Sequence, residues 1–210
     1  MSISKDFQEK NMRAPRVVTP LPQTDWDPQL AHVCADMNNA PLNVHKLMAH
    51  SPVLLAAWWN FRNYSVQGGS LGPHLGELVI LRVGMHLGNW YEWASHVDRA
   101  IRAGMSAETI VGIMSPDVSN IVPELDRLSL CAVDDLMRFR SISPNTRTSL
   151  EAHLSTAQIL DLIAIHGMYM TLGAMIETWG LELDDDVAQR VAAHTNQDDF
   201  LKASMRFQAT

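Results

Sequence analysis

The sequence predicts an all-α fold, and three observations carry that expectation. Helix starts are marked repeatedly: Asp27-Pro28, Ser51-Pro52 and Ser143-Pro144 each set a capping side chain before a proline, whose fixed φ suits a first helical turn. Ser155 and Gln158 stand three apart, as do Asn89 and Glu92, the spacing of a capping box. No run alternates apolar and polar residues as a strand would, and no Asn-Gly or Asp-Gly pair signals a hairpin.

Taken in order, Asp27-Pro28 opens a helix reaching about Asn38. Ser51-Pro52 opens an apolar one through Trp58, Trp59 and Phe61, closed by Gly68-Gly69. Pro73 starts the next, in which Leu75, Leu78, Val79, Leu81 and Arg82 precede a break at Gly88. Asn89 caps a helix that Gly104 ends, since a glycine after the last turn adopts the left-handed conformation readily. Ser106 caps a short helix to Met114, with Pro116 as its stop, and 122–140 reads as another. Ser143-Pro144 begins a short helix ending near Leu154. Ser155 opens a long one that Gly180 ends, and 198–207 closes the series. Residues 1–25 read as an N-terminal arm and 26–210 as a single helical domain.

Composition narrows the function classes. Of 210 residues 47% are hydrophobic and 19% charged, enough apolar mass for one sizeable core. The net charge is −7 with no cluster of Lys and Arg, so no nucleic-acid footprint is expected. Residues 1–24 are polar and prolyl, without the apolar core of a signal peptide. The apolar run 159–176 contains Asp161 and His166, and therefore reads as a buried core helix and not as a membrane span. Cys34 and Cys131 are far apart and read as small buried hydrophobes, which suits a reducing cytoplasm. No zinc signature and no Gly-x-Ser-x-Gly elbow occurs, so neither a metal nor a serine nucleophile is expected.

The most informative segment is 76–96, GELVILRVGMHLGNWYEWASH, followed by GMSAETI at 104–110. Further pieces are HLSTAQILDL at 153–162 and GLELD at 180–184. Together they resemble the carboxymuconolactone decarboxylase/AhpD-like family over roughly residues 40–185. The resemblance implies an AhpD-like helical bundle built into a homo-oligomer. It also implies that Glu77 approaches His96. The peroxidase branch of that family carries Cys-x-x-Cys-x-x-x-His, and here the two cysteine positions hold Asn89 and Glu92. Without a thiolate and its resolving thiol, thiol peroxidase chemistry is not expected.

What remains is acid–base equipment. Glu92 and His96, four apart, share a helix face. A carboxylate beside an imidazole sets its tautomer and basicity, and the pair can move a proton at carbon next to a carbonyl. The expected catalytic set is His96, Glu77 and Glu92. Asn89, Tyr91, His86, Trp93, His166 and Tyr169 are expected to bind a small-molecule substrate. Each has a plainer alternative: Glu92 and Asn89 in helix capping, Glu77 in a buried ion pair with Arg82 or a neighbouring helix, and the remaining residues in packing. The pocket is expected among the helices over 52–66, 73–87 and 89–103.

The activity expected is a cofactor-independent decarboxylase or isomerase acting on a small carbonyl-bearing acid or lactone. The competing reading is a non-catalytic ligand-binding or assembly protein on the same scaffold.

Overall fold

Proline and capping side chains begin most of the helices, as their positions in the chain require. The computed structural model describes residues 18–121 and 123–208. The described residues form eleven α-helices and no strand. After a 3-10 turn at Pro28–Leu30, capped by Asp27, come α1 (Ala31–Asp36), α2 (Asn43–Met48) and α3 (Pro52–Ser65). Then follow α4 (Pro73–Leu87), α5 (Trp90–Arg102), α6 (Ala107–Ile113) and α7 (Glu124–Phe139). The series ends with α8 (Pro144–Glu151), α9 (Thr156–Trp179), α10 (Asp185–Val191) and α11 (Gln197–Gln208). Residues 1–17 of the expected arm lie outside the described residues. The adjoining stretch lies on the domain, with Leu21 N donating to Lys46 O at 3.0 Å.

Helix α4 is the axis of the molecule. Its residues from Leu75 to Met85 are all buried, and it packs against α5, α7, α9 and α11. Such a helix must be apolar on every side or neutralise what is not. It does both. Val79, Ile80 and Val83 join Trp59, Leu162 and Ile165 in one core. Leu78, Leu81 and Met85 join Trp93, Val97, Ile113 and Phe200 in a second. Each fully buried Leu or Ile of this kind contributes on the order of 2 kcal/mol through removal from water. The two charged residues of α4, Glu77 at 3% exposure and Arg82 at 1%, both find partners. Arg82 holds Asp134 through two hydrogen bonds of 2.7 Å and donates to Ile113 O and Ser115 O. Entry to α4 is equally tight: a Cβ on Gly76 would lie 2.8 Å from Gly68 Cα, so that contact accepts only glycine.

The long helix α9 is long and apolar enough to cross a membrane by length and composition, yet half of its most apolar window is packed inside the domain. Ser155 and Gln158 complete the capping box that starts it, and Gly180 ends it in the left-handed conformation. Asp161 accepts from Ser70 N at 2.6 Å and Tyr64 Oη at 2.8 Å, fastening α9 to the loop before α4.

One helix takes its cap from far along the chain. α2 has Leu42 at its N-cap, and its first amide is capped from across the chain: Asn43 N donates to Asp184 Oδ1 at 2.9 Å. Asp184 in turn is the N-cap of α10 but does not cap it with its side chain, which is spent on Asn43 and Tyr91.

Candidate active site

Helices α4 and α5 run back on each other through a turn at Gly88, whose φ of 64° suits glycine. Asn89 fixes the start of α5. Its Oδ1 accepts from Glu92 N at 2.8 Å, and its Nδ2 reaches Gly173 O at 3.4 Å on α9. With the start fixed, Glu92, His96 and Arg99 fall on one face of α5 by helical spacing, turned toward Glu77 of α4.

The geometry at their meeting point is closely specified. His96 Nδ1 donates to Glu77 Oε2 at 2.6 Å, and Arg99 Nε donates to Glu77 Oε1 at 2.7 Å. Arg99 is anchored a second time, donating to Val66 O at 2.7 Å. Glu77 thus takes one proton donor on each oxygen. With Nδ1–H committed to Glu77, the neutral ring carries its lone pair on Nε2. That nitrogen stands 3.6 Å from Glu92 Oε2. The ring of Tyr169, from α9, meets the imidazole edge-on at 4.9 Å between centroids.

These groups, Glu77 excepted, border a partly open cavity of about 140 Å³ among α2, α3, α5, α9 and α10. A cavity of roughly that volume takes a molecule the size of benzene. Glu92, His96 and Tyr169 line it, with Met48, Met168 and Leu172 as apolar wall. Asp98, Arg102 and Arg190 also border it, joined in ion pairs through Asp98.

Burial and charge set the protonation states. Burial alone would raise the Glu77 carboxyl, but the neighbouring His96 and Arg99 prevail and hold it below the usual carboxylate range. Burial drives His96 down, with Glu77 opposing and the Arg99 and Arg62 guanidiniums reinforcing. Glu92 has no cation to offset its burial, and with the Glu77 charge nearby it is pushed up to about 8. Near neutral pH the site therefore holds an anionic Glu77, a neutral His96 and a protonated Glu92. A base and an acid face one cavity.

Of the expected residues, the structure brings together His96, Glu77, Glu92, Tyr91 and Tyr169. Tyr91 lines the cavity with its ring, while its hydroxyl is tied to Asp184 Oδ2 at 2.7 Å and accepts from Val44 N. It is a strut between α5, α2 and the segment before α10. The other substrate-binding expectations are corrected. Asn89 is completely buried as the N-cap of α5 and does not reach the cavity. Trp93 is a core residue stacked near Phe200, with Nε1 donating to Thr195 Oγ1 at 2.9 Å, because its position turns it to the opposite side of α5.

His86 points away from Glu77, bonding Asp134 Oδ1 at 2.6 Å and packing on Phe207, so it lines a separate cleft. His166 faces α7, where its ring meets Met137 Sδ at 3.3 Å. Of the two ion-pair partners expected for Glu77, the structure has the one on a neighbouring helix, Arg99, and not Arg82. The capping box at Asn89 is only half formed: the asparagine caps, but Glu92 sends its side chain to the cavity.

Cavity residues that the sequence did not point to include His45, Trp58, Arg62, Ser95 and Arg99, the last being the second partner of Glu77. Ser95 and Arg99, three and seven residues beyond Glu92, were within reach of the same helical spacing that selected His96. His45 and Arg62 had no such signal, because they reach the cavity from helices outside the motif.

The arrangement is that of a helical domain in which a buried Glu77–His96–Glu92 cluster joins two adjacent helices beside a cavity that no thiol lines. Cys34 and Cys131, both free, stand on α1 and α7 and do not line the cavity. Residues 52–119 match the carboxymuconolactone decarboxylase family, about a third of the chain, running from α3 through α6 and containing Glu77, Glu92 and His96. The resemblance in the motif is thereby confirmed, and it supports a carboxymuconolactone decarboxylase-like function at the level of the family. A comparison with curated proteins found no match.

Proposed function

We propose that the protein is a cofactor-independent acid–base enzyme of the decarboxylase or isomerase type, acting on a small carbonyl-bearing carboxylic acid or lactone. The observation that carries this reading is His96 Nε2 standing 3.6 Å from Glu92 Oε2 at the edge of a cavity, where burial pushes the imidazole down toward its neutral form and the carboxyl up to about 8.

In an isomerisation, His96 Nε2 removes a proton from the carbon beside the carbonyl, and the C–H electrons delocalise onto the carbonyl oxygen. Glu92 returns a proton at the conjugated carbon as the electrons flow back. The site is then left with an imidazolium and a carboxylate, and one transfer from Nε2 to Glu92 restores both. In a decarboxylation, the electrons of the breaking C–C bond flow to the carbonyl as carbon dioxide leaves. The enolate then takes its proton from Glu92, and solvent resupplies the acid. Glu77 steadies the positive imidazole and keeps Nε2 directed at the substrate. General acid–base catalysis of this kind contributes about 10²–10⁴-fold.

The outward face of α9 supports a homo-oligomer: Leu160, Ile163, Gly167, Thr171, Ala174 and Thr178 recur at helical spacing without a charge. The acidic balance of the chain argues against nucleic-acid partners, and the unpaired cysteines suit the cytoplasm.

The test is proton NMR in D₂O with β-keto acids, carboxylated lactones and β,γ-unsaturated ketones. Wild-type protein is expected to incorporate deuterium at carbon or release carbon dioxide, and His96→Ala to do neither. Equal rates in the two proteins, or no turnover anywhere on the panel, would favour a ligand-binding role on the same scaffold.

A further inference from the structure

Among the described residues, four buried side-chain polar atoms have no hydrogen-bond partner: His45 Nδ1, Trp58 Nε1, Ser65 Oγ and Ser95 Oγ. Three of them, those of His45, Trp58 and Ser95, belong to residues that line the cavity holding His96 and Glu92. A buried polar group left unpaired costs about 1–3 kcal/mol, so three around one small space call for an explanation. A ligand that satisfies them supplies one.

The chemistry of these groups identifies what they take. The Trp58 indole can only donate, the Ser95 hydroxyl can donate, and the His45 ring can present a proton on Nδ1. His45 is 6% exposed and held neutral by burial. Arg62 lines the same cavity, half-buried. It stacks over the Trp59 ring at 4.8 Å, and its hydrogen bond goes to the neutral Asn63 Oδ1 at 3.0 Å. Among the described residues it forms no ion pair within 4 Å, whereas Arg99 is neutralised by Glu77. Around the cavity the charges of Asp98, Arg102, Arg190 and Asp186 cancel in their own network. With Glu92 protonated and His96 neutral, Arg62 is the cation at this cavity that no carboxylate pairs at close range among the described residues, its charge opposed from farther off by Asp36, and the unpaired groups of His45, Trp58 and Ser95 belong to the same lining.

We propose that Arg62, Trp58, Ser95 and His45 form a carboxylate-binding subsite that holds the acid group of the substrate. The proposal rests on the acid–base reading of His96 and Glu92 and adds a constraint to it. A guanidinium that grips a carboxylate stabilises that charge in the ground state, whereas loss of carbon dioxide must disperse it. The carboxylate at Arg62 is therefore a handle retained through the reaction. The bond that changes lies on the part of the substrate reaching His96. Substrates of this site are small acids whose reactive carbonyl or alkene is separate from the anchored carboxylate.

The experiment measures binding, so it does not depend on turnover. Benzoate, sorbate and levulinate are titrated into wild-type protein, each against its primary amide, with tryptophan fluorescence and calorimetry as readouts. At least one acid is expected to bind about tenfold or more tightly than its amide, the margin of a charge-assisted contact. Arg62→Gln is expected to abolish that preference. Ser95→Ala, which removes one hydroxyl and cannot disturb folding much, is expected to weaken acid binding by a few-fold while leaving the amide unchanged. His96→Ala is expected to keep the preference. Acid and amide binding alike, no acid binding at 10 mM (about the weakest affinity worth calling a site), or a preference that survives in folded Arg62→Gln would each overturn the subsite. Turnover that depends on His96 without any acid preference would leave the proton-transfer reading standing and remove only this one. The converse result would retain the subsite and discard the catalysis.

Discussion

Glu92 Oε2 and His96 Nε2 face each other across 3.6 Å with reversed proton affinities: the carboxyl is pushed up to about 8 and the imidazole is pushed down. Burial acts on both, since it disfavours whichever form is charged, while the Glu77 charge adds to the rise of Glu92 and opposes the fall of His96 without reversing it. One turn of helix thus holds an acid and a base that do not neutralise each other in the resting state.

The first prediction concerns pH. Activity needs His96 neutral and Glu92 protonated. It should rise as His96 loses its proton below its ordinary value of 6.5 and fall as Glu92 ionises near 8. Glu92→Gln should lower the rate by about 10²-fold or more. It should also remove the alkaline limb from whatever activity remains. A residual activity with an unchanged upper limb would assign that limb to another group.

Stability should follow the same groups, with the sign set by which state holds more protons. Between 4.5 and about 8 the folded chain keeps the Glu92 proton that the unfolded chain has released, so Glu92 makes stability fall as pH rises through that range. His96 and His45, lowered in the folded state, act the other way: their contribution is present above 6.5 and is lost as pH falls below it. A urea midpoint measured against pH should therefore decline from about 6.5 to 8, and Glu92→Gln should flatten that decline. A decline that persists in the variant would place the buried proton elsewhere.

Glu77→Gln tests the hydrogen bond that orients His96. The amide can still touch Nδ1–H, but it no longer carries the charge that steadies a protonated imidazole. The expected result is a fall of about 10²–10³-fold in kcat with little change in KM. The downfield proton resonance of Nδ1–H should also move upfield. A change confined to KM would make Glu77 a shaper of the cavity and not a partner of the base.

How much of this was legible in the sequence depended on where the determinants lie. The start of α5 was readable because the cap Asn89 and the residues it positions are neighbours in the chain, and helical spacing alone put Glu92 with His96. Glu92 illustrates the limit of that logic. Its spacing from Asn89 fits a capping box, but the cavity claims its side chain, a choice made by tertiary structure. Arg82 and Glu77 share a helix and invite pairing, yet α4 is buried all round and each charge takes a partner on a different neighbour. The far wall was unreadable for a further reason: α2 begins where an aspartate 141 residues away caps it.

Asp134 separates the site from its look-alike. It binds both Arg82 and His86, on the other flank of α4 from Glu77. Asp134→Asn should cost about 3 kcal/mol in a denaturation experiment, since it strands a guanidinium that is 1% exposed. His86→Gln should leave deuterium incorporation unchanged. Loss of exchange in that variant, at unchanged stability, would return His86 to the site.

The last prediction follows from Asp184, which joins three parts of the cavity wall. One oxygen caps α2 at Asn43 N and the other receives the Tyr91 hydroxyl at 2.7 Å. Asp184→Ala leaves a buried amide and a buried phenol without acceptors, a cost of about 2–3 kcal/mol. The damage should be local. α2 carries His45 and Met48 to the cavity, so amide exchange there should accelerate before that of α4 or α5. Because Glu77, Glu92 and His96 are anchored independently through Asn89 and Arg99, substrate affinity should suffer while the proton-transfer step survives: KM should rise by about tenfold with kcat nearly unchanged. If kcat falls instead, the α2 wall holds the reacting groups in register and does not merely enclose the substrate.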